Sequence, residues 1–366
     1  MKTNERMNFA EKTGLTAKDH RIVFSKQLKR EIAAAISECE HDRIFVLTDT
    51  NTERHCWQVM KDFFSLRGFH KIVVKAGDTN KNIESLAHIW NELSNNGATR
   101  HSLLINLGGG MVSDLGGFAA ATFKRGINFI NIPTTLLAMV DASVGGKTGI
   151  NFNGLKNEVG VFCEPRFVII DSCFLQTLDH ESLLSGYAEM LKHGLISNEK
   201  TWAAHLNFDL NEMDFSLLSD MIEKSVKTKQ RIVLKDLKET GIRKSLNLGH
   251  TVGHAIETWA SSRKPIPHGF AVVYGLICEL YLSCHKTGFP IEKMRQTVSF
   301  IRQNYSQCTV TCDDYETLYE LMTHDKKNIG STIRLTLLAN IGEVCIDQSV
   351  TEDEIEEALD FLRESF

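Results

Sequence analysis

Residues 103–121 read LLINLGGGMVSDLGGFAAA, an apolar stretch followed by clustered glycines and then by alanines. Leu103 to Leu107, interrupted only by Asn106, predicts a buried β-strand, and the segment after the glycines predicts a helix. A glycine-rich turn of this kind lets a diphosphate approach the backbone, and the helix start offers free amide groups. A strict GxGxxG would need a third glycine where the chain has Ser113. The turn therefore fits a nucleotide site or a simple tight connection.

Alternating strand and helix patterns extend on both sides of this turn. Strands separated by helices of such lengths form parallel sheets through crossover helices. The first half is therefore predicted to be a doubly wound α/β domain. Its predicted strands are 43–47, 72–74, 103–107, 127–132 and 167–170, and helical patterns cover 27–39, 48–64 and 83–93.

Helical patterns dominate after about Asp171, at residues 181–196, 217–233, 270–285 and 291–305 and in a histidine-rich stretch after Gly249. A hairpin is predicted from 333–338 and 344–346, and the last helix begins at a capping box of Thr351 and Glu354. Because one core rarely grows to 366 residues, we expect two domains. These are residues 1–171 and a mainly α-helical domain of residues 172–366.

The charge balance limits the kinds of partner. The chain has 41 Lys plus Arg and 46 Asp plus Glu, a net charge of −5, which argues against binding to nucleic acid or to a membrane surface. The charged N-terminus has no apolar core of a secretory signal. Nine cysteines without a CxxC pair are typical of reduced thiols in the cytoplasm. We expect a cytoplasmic protein whose anionic ligands are met by locally gathered cations.

Histidine spacing points to a metal. His250 and His254 are four residues apart and share one helix face, and His268 follows in PHGFAVV. A catalytic zinc takes three protein ligands from His, Asp or Glu and leaves one position open. A structural histidine pair has the same spacing, so the metal remains one of two interpretations. An acidic residue could complete the set, and spacing alone does not choose among Glu189, Glu239 and Glu257.

Several cations lie in glycine-rich or motif-like surroundings. In a net-negative protein such residues are typical of anion contacts, although any one of them could be an exposed solubilising side chain. Only their convergence would make a site. They are Arg125, Lys147, Lys156, Lys192, Lys229, Arg243 and Lys326.

Seven separated blocks together resemble the 3-dehydroquinate synthase family of the sugar phosphate cyclases. The likeness runs in the expected order from about residue 40 to 340, and a chain of seven blocks is highly specific. The blocks are GGGMVSDLGGFAAATFKRG, IPTTLLAMVDASVGGKTGIN, GLKNEVGVF, SGYAEMLKHG, ETGIRKSLNLGHTVGHAIE, HGFAVVYG and HDKKNIG.

The resemblance implies a Rossmann-like N-terminal NAD domain, a helical C-terminal domain, an active site in the cleft between them, and a homodimer. It implies NAD and a divalent metal, usually Zn²⁺ or alternatively Co²⁺. The implied reaction is conversion of 3-deoxy-D-arabino-heptulosonate 7-phosphate, a sugar acid phosphate, into 3-dehydroquinate and phosphate in the shikimate pathway. NAD is regenerated in each turnover.

The resemblance also implies a role for individual residues. The metal ligands would be Glu189, His250 and His268, so that His254 becomes a catalytic group, with Asp141, Lys192 and Glu239 near the ring hydroxyls. Phosphate would contact Lys147, Asn157, Asn247 and Lys326, with Arg125 reaching it from the neighbouring subunit, and the substrate carboxylate would contact Lys229 and Arg243. The implied NAD contacts are Asp49, Asp78, Lys81, Gly109, Gly110, Asp114, Thr134, Thr135 and Lys156.

Three departures from the family pattern leave every catalytic position in place. Asp78 stands where the family commonly has Glu, although Lys81 is retained, residues 178–182 read LDHES, and one loop reads NGLKN. Two alternatives of the same general fold are another sugar phosphate cyclase and a metal-dependent polyol or glycerol phosphate dehydrogenase. A non-catalytic NAD-binding regulator is a third. The pair Lys229 and Arg243 favours a substrate with a carboxylate.

Overall fold

The computed structural model describes residues 21–63, 68–237, 239–323 and 332–366. The chain forms two compact units, one ending at Thr177 and the other beginning at Leu178. The first contains a six-stranded parallel sheet flanked by helices, and the second is mainly helical. The predicted fold class is therefore confirmed. The assignment of residues 1–171 and 172–366 to separate tasks stays a prediction.

The parallel sheet of the first unit has the strand order β1-β8-β5-β4-β2-β3. Strands β2, β4 and β8 are buried along their whole length, because their apolar side chains face helices on both sides. In the centre, Ile105 of β4 pairs with Val46 of β2 and Ile130 of β5. The strands are β1 Arg21–Phe24, β2 Ile44–Asp49, β3 His70–Val74, β4 Leu103–Gly108, β5 Asn128–Pro133 and β8 Phe167–Ile170.

The strand order reverses between β2 and β4. From β2 the chain moves to β3 at one edge and then returns to place β4 on the other side of β2. In doubly wound sheets, ligands bind outside the carboxyl ends of the strands at such a reversal. Here those ends are Asp49 and the glycine turn after Leu107.

Glycines allow one helix to lie unusually close to this sheet. A Cβ at Gly116 would lie 2.0 Å from Asn106 Oδ1, and a Cβ at Gly117 would lie 2.6 Å from Thr148 Cγ2. Asn106, the polar interruption of β4, is buried and donates to Asn131 Oδ1 at 2.9 Å. The helices of this unit are α1 Leu28–Glu38, α2 Thr50–His55, α3 Trp57–Met60, α4 Ile83–Asn95 and α5 Gly110–Thr122.

A separate antiparallel ribbon is formed by β6 Lys147–Phe152 and β7 Leu155–Phe162. Gly149 faces Gly160 across it, and a Cβ on Gly149 would meet Val159 O at 2.6 Å. All eight residues of β7 are exposed. The sequence analysis missed this ribbon because LKNEVGVF shows no alternation of polar and apolar residues.

The second unit is built around one almost wholly buried helix, α10, which packs against α6, α9, α13 and β9. Its helices are α6 His180–Leu195, α7 Glu199–Leu206, α8 Phe215–Lys235, α9 His250–Ser261, α10 His268–Lys286, α11 Ile291–Asn304, α12 Tyr315–Thr323 and α13 Glu352–Glu364. The hairpin strands are β9 Arg334–Asn340 and β10 Glu343–Ser349. Among the described residues, no helix combines the length and apolar character needed to cross a lipid bilayer.

Most of these elements match the sequence predictions, whereas α7 and α12 were not predicted. The predicted capping box is present: Glu354 N donates to Thr351 Oγ1 at 3.3 Å, and Thr351 N donates to Glu354 Oε2 at 2.8 Å. Glycines also let α9 and α10 cross closely, since a Cβ on Gly275 would lie 2.0 Å from Gly249 O. Close crossing brings together the start of α9 at His250 and the start of α10 at His268.

Candidate active site

Two histidines converge on one buried carboxylate in the second unit. Glu189 lies in the middle of α6 and is fully buried. Its Oε1 lies 3.2 Å from His250 Nε2 and 3.4 Å from His268 Nε2. Lys192, one turn further along α6 and also buried, forms an ion pair with the same carboxylate. The structure thus assembles Glu189, His250 and His268 from three helices.

These three side chains fit a divalent metal. One carboxylate and two imidazoles form a donor set that catalytic zinc uses. The second ring nitrogen of each histidine is already engaged, with His250 Nδ1 3.1 Å from Leu248 O and His268 Nδ1 3.2 Å from Glu257 Oε2. Such outer contacts turn the opposite nitrogen toward a metal. Both Glu189 oxygens have charged neighbours but no well-oriented hydrogen bond within the described residues.

His254 lies beside the same cluster. Its ring centroid is 5.2 Å from that of His250 and 5.8 Å from that of His268. One ligand atom from each of these three histidines lies within 4.8 Å of the others. The geometry therefore accommodates either His254 or Glu189 beside the other two histidines. Two other acidic residues were considered as ligands. Glu257 contacts His268 through its Nδ1, and Glu239 lies in the turn after α8, where it accepts a hydrogen bond from Asn247.

The buried ionisable groups of this cluster shift one another's pKa. Burial would raise the pKa of Glu189, but Lys192 and His250 outweigh it and hold that pKa well below its usual range. Burial lowers the pKa of His250. Burial would also lower the pKa of His268, but the nearby carboxylates of Glu189 and Glu257 outweigh it and raise that pKa to about 10. A metal that binds His268 Nε2 must therefore displace a proton.

A second group of predicted residues lies in and around the turn that follows α8. Arg243 is only 2% exposed, and its Nη1 donates to Leu237 O at 2.9 Å. Asn247 Nδ2 donates to Glu239 Oε1 at 2.9 Å, and Glu239 has a left-handed backbone with φ 60°. Lys229 is buried on α8. Lys326, the remaining predicted phosphate contact, lies outside the described residues.

In the first unit, the glycine turn lies at the reversal of strand order. Helix α5 begins at Gly110, and its N-terminal cap, Gly109, makes no side-chain hydrogen bond to the helix start. A Cβ on Gly109 would lie 3.0 Å from the side chain of Thr135, so a larger residue there would press on Thr135. Thr134 N donates to Gly108 O at 3.0 Å. Gly109 thus provides no side-chain cap for the first amides of α5, and such a helix start suits an anion.

Asp49 ends β2 at the same edge, where it caps a helix. Its Oδ1 accepts hydrogen bonds from Asn51 N and Thr52 N, each at 2.8 Å. Aspartate is among the residues most favoured in this capping role, because its carboxylate accepts from the free amides of the first helical turn. Both bonds end on Oδ1, so Oδ2 takes no part in the cap.

A polar cluster in the first unit joins five more predicted residues. Lys81 Nζ lies 2.6 Å from Asn157 Oδ1, 3.0 Å from Asp114 Oδ2 and 3.5 Å from Asp78 Oδ1. Lys156 Nζ lies 3.8 Å from the other oxygen of Asp78. Burial would lower the pKa of Lys81, but Asp114 and Asp78 outweigh it and raise that pKa. Burial raises the pKa of Asp114, against the opposing effect of Lys81.

Three further predicted residues of the first unit lie in turns or at the start of a strand. Arg125 is exposed, with a left-handed backbone of φ 69°. Lys147 is exposed at the start of β6, and Asp141 is half-buried in the π-helical turn Ala138–Ala142.

Sequence analysis missed three supporting residues. Glu257 was considered only as a rival metal ligand, although its place in the block ending HAIE was the available signal. Asn151, which donates to Asp78 O at 3.0 Å, and Asp236, which organises the turn of Arg243, carried no signal.

Comparison with known proteins assigns the chain to a family. Residues 71–185 match the family model described as 3-dehydroquinate synthase N-terminal, and residues 186–328 match the one described as 3-dehydroquinate synthase C-terminal. The chain is 54% identical over 349 residues to 3-dehydroquinate synthase of Parabacteroides distasonis, covering 95% of this chain and 99% of that protein. It is 37% identical to 3-dehydroquinate synthase of Staphylococcus aureus, covering 89% and 92%.

Solved structures show the same fold at lower identity. A 2-deoxy-scyllo-inosose synthase complexed with carbaglucose-6-phosphate, NAD⁺ and Co²⁺ is 22% identical with a TM-score of 0.81, covering 94% of this chain and 96% of that one. The 2-epi-5-epi-valiolone synthase of Streptomyces hygroscopicus, with NAD⁺ and Zn²⁺ bound, is 24% identical with a TM-score of 0.81, covering 95% and 97%. Both family models and both curated relatives agree, and this chain belongs to the 3-dehydroquinate synthase family.

Proposed function

We propose that this chain is a 3-dehydroquinate synthase, a phosphate-eliminating lyase of the shikimate pathway that makes 3-dehydroquinate from 3-deoxy-D-arabino-heptulosonate 7-phosphate. The observation that carries the proposal is the convergence of Glu189, His250 and His268 in a unit that also buries Lys229 and Arg243. The first group suits a divalent metal, and the two cations suit the carboxylate of this substrate.

NAD binding is assigned to residues 1–171. The uncapped start of α5 and the glycine turn would hold the diphosphate, because free amides and the helix dipole attract negative charge. NAD would supply a reversible hydride acceptor. The proposed contacts are Asp49, Asp78, Lys81, Gly109, Gly110, Asp114, Thr134, Thr135 and Lys156.

Metal and substrate binding are assigned to residues 172–366, with Glu189, His250 and His268 as the ligands of Zn²⁺ or Co²⁺. The metal would act as a Lewis acid that favours the ionised form of a substrate hydroxyl. Two supports favour Glu189 over His254 as the third ligand: its complete burial and its central place between the two histidine Nε2 atoms.

The remaining side chains bind and orient the substrate. Lys229 and Arg243 would hold the carboxylate, and their burial strengthens a charge-assisted contact. Phosphate is assigned to Lys147, Asn157, Asn247 and Lys326, with Arg125 contributed by a neighbouring subunit. The imidazole of His254 would transfer protons near neutral pH. Asp141, Lys192 and Glu239 are assigned to the ring hydroxyls.

The deciding experiment incubates the protein with the heptulosonate phosphate, NAD and Zn²⁺ and measures 3-dehydroquinate and phosphate. We expect both products in equal amounts with no net increase in NADH absorbance. Steady NADH formation would instead indicate a polyol or glycerol phosphate dehydrogenase. Turnover of a sugar phosphate without a carboxylate, in preference to the acid, would indicate another cyclase.

The metal assignment is tested separately with His250→Ala. Loss of one imidazole leaves two ligands, so we expect the metal content and the activity to be lost while NAD binding and the fold remain. Metal analysis, activity and NAD titration measure these effects. Normal turnover by the variant would disprove the metal assignment. Because turnover is catalysis, it would also contradict the alternative of a non-catalytic NAD-binding regulator.

A homodimer in the cytoplasm is the proposed assembly and location. The nine cysteines are free thiols, which supports a reducing compartment.

An exposed apolar surface supports self-association through the β6–β7 ribbon. Its large apolar side chains are 40–61% exposed: Phe152, Leu155, Val159, Val161 and Phe162. We expect Val159→Lys to convert a dimer into a monomer in light-scattering measurements, and an unchanged mass would exclude this surface.

A further inference from the structure

Asp236 organises the turn that follows α8. Its Oδ1 accepts a hydrogen bond from Thr240 N at 3.1 Å, and its Oδ2 accepts from Gly241 N at 2.7 Å and Arg243 N at 3.0 Å. Three backbone donors on one carboxylate fix the path of the chain between the end of α8 and Arg243. Hydrogen bonds to an ionised acceptor are about twice as strong as neutral ones.

Arg243 is held at both ends by this turn. Its backbone N–H points to Asp236, and its guanidinium Nη1 donates to Leu237 O at 2.9 Å. The side chain is 2% exposed. A long cation in such surroundings loses most of its rotamer freedom when the protein folds, so its direction is set before a ligand arrives.

The same turn fixes two further predicted contacts. Glu239 has a left-handed backbone with φ 60°, a conformation that is strained in a non-glycine residue. Its carboxylate accepts from Asn247 Nδ2 at 2.9 Å. Burial would raise the pKa of Asp236, but the backbone donors of Gly241, Arg243 and Thr240 outweigh it and lower that pKa. Asp236 therefore stays ionised while it closes the turn.

We propose that Asp236 is a positioning residue for substrate selection, which holds the guanidinium of Arg243 in the orientation that binds a substrate carboxylate. This inference rests on the proposed function. Asp236 acts through Arg243 and not on the reacting atoms. Its loss should therefore weaken substrate binding while leaving the chemical step nearly intact.

The test compares Asp236→Asn with the wild type. We expect KM for the heptulosonate phosphate to rise about 10-fold or more while kcat changes less than about three-fold, the pattern of lost uniform binding. In an Arg243→Lys background, Asp236→Asn should raise KM by less than about three-fold. Asp236 acts through Arg243, so its replacement has little further effect once the guanidinium is gone. An unchanged KM, or a full additive effect in that background, would overturn the inference.

Two controls separate this role from a purely structural one. Asp209 accepts backbone hydrogen bonds from Asn211 and Glu212 in another turn, and Asp209→Asn should leave KM unchanged. Asp236→Glu keeps the charge but displaces the acceptor, and it should also raise KM. If neither Asp236 variant unfolded cooperatively, the role in substrate selection would be rejected in favour of folding.

Calorimetric titration with the heptulosonate phosphate distinguishes this inference from the proposed function. A wild-type protein that binds the compound without turnover would refute the proposed function alone. The inference would then be decided by whether Asp236→Asn weakens binding about 10-fold. A wild type that binds nothing would refute both.

Discussion

Glu257 lies beside the proposed metal ligands and contacts one of them, His268, directly. It is buried on α9, and its Oε2 lies 3.2 Å from His268 Nδ1. The sequence offered it only as an alternative ligand, because the spacing of α9 and α10 cannot show which ring nitrogen a carboxylate meets. In the folded protein, it directs His268 Nε2 toward Glu189.

Replacing Glu257 by Gln should therefore weaken metal binding. Carboxylates that contact a ligating histidine typically contribute about 10- to 100-fold to metal affinity. We expect a loss of that size in a chelator competition assay on the purified protein. The matched control is Glu92→Gln, since Glu92 meets His70 at 3.1 Å in the first unit. Equal metal affinity in wild type and Glu257→Gln would contradict this role.

At the scale of elements, the glycines of α5 and its N-terminal cap fall into two groups with different surroundings. Gly109 and Gly110 form the helix start at the strand-order reversal, whereas Gly116 and Gly117 lie against the sheet and the β6–β7 ribbon. The sequence left two interpretations of the run open, a nucleotide site or a tight strand-to-helix connection. The short distances from a Cβ on Gly116 to Asn106 and from a Cβ on Gly117 to Thr148 show that these two glycines serve packing.

A methyl group at Gly116 should therefore destabilise the first unit. Its Cβ would meet Asn106 Oδ1 at 2.0 Å, which the buried bond to Asn131 prevents from moving away. Overpacking of this kind costs about 1–3 kcal/mol. We expect Gly116→Ala to lower the urea midpoint measured by circular dichroism. Ala121→Ser, on the half-exposed side of the same helix, is the control, and equal midpoints for Gly116→Ala and wild type would exclude the clash.

At the scale of the whole molecule, a buried histidine links stability to pH. His205 is 1% exposed, and its ring lies edge-on to Tyr187 with the centroids 5.6 Å apart. Neither ring nitrogen has a hydrogen-bond partner among the described residues. Burial lowers the pKa of His205 from 6.5 to about 3. The folded protein therefore holds this ring neutral at pH values where the unfolded chain protonates it.

Stability should thus fall as the pH falls below 6.5. Below pH 6.5 the unfolded state binds a proton at His205 that the folded state does not bind. The contribution of His205 to the free energy of unfolding is therefore fully present above pH 6.5 and is lost toward pH 3 at about 1.4 kcal/mol per pH unit. We expect a decrease of about 2 kcal/mol between pH 7 and pH 5 from this residue alone. His205→Phe should remove that part of the slope in urea unfolding, with exposed His101→Gln as the control. Parallel slopes in wild type and His205→Phe would refute the role of His205.

The sequence by itself determined the α/β and helical halves, the strand-to-helix glycine turn and the set of motifs that identifies the family. These features depend on local periodicity and on residue type, which neighbouring positions in the chain reveal. Only the tertiary structure decided which acids meet the histidines, that Asp49 caps α2, and that Asp236 accepts a hydrogen bond from the backbone of Arg243. Such contacts join residues whose distances depend on how helices cross and how turns close. Gly275 of α10, for example, allows the close crossing with α9, because a Cβ there would lie 2.0 Å from Gly249 O. The spacing of residues along the chain does not reveal such a crossing.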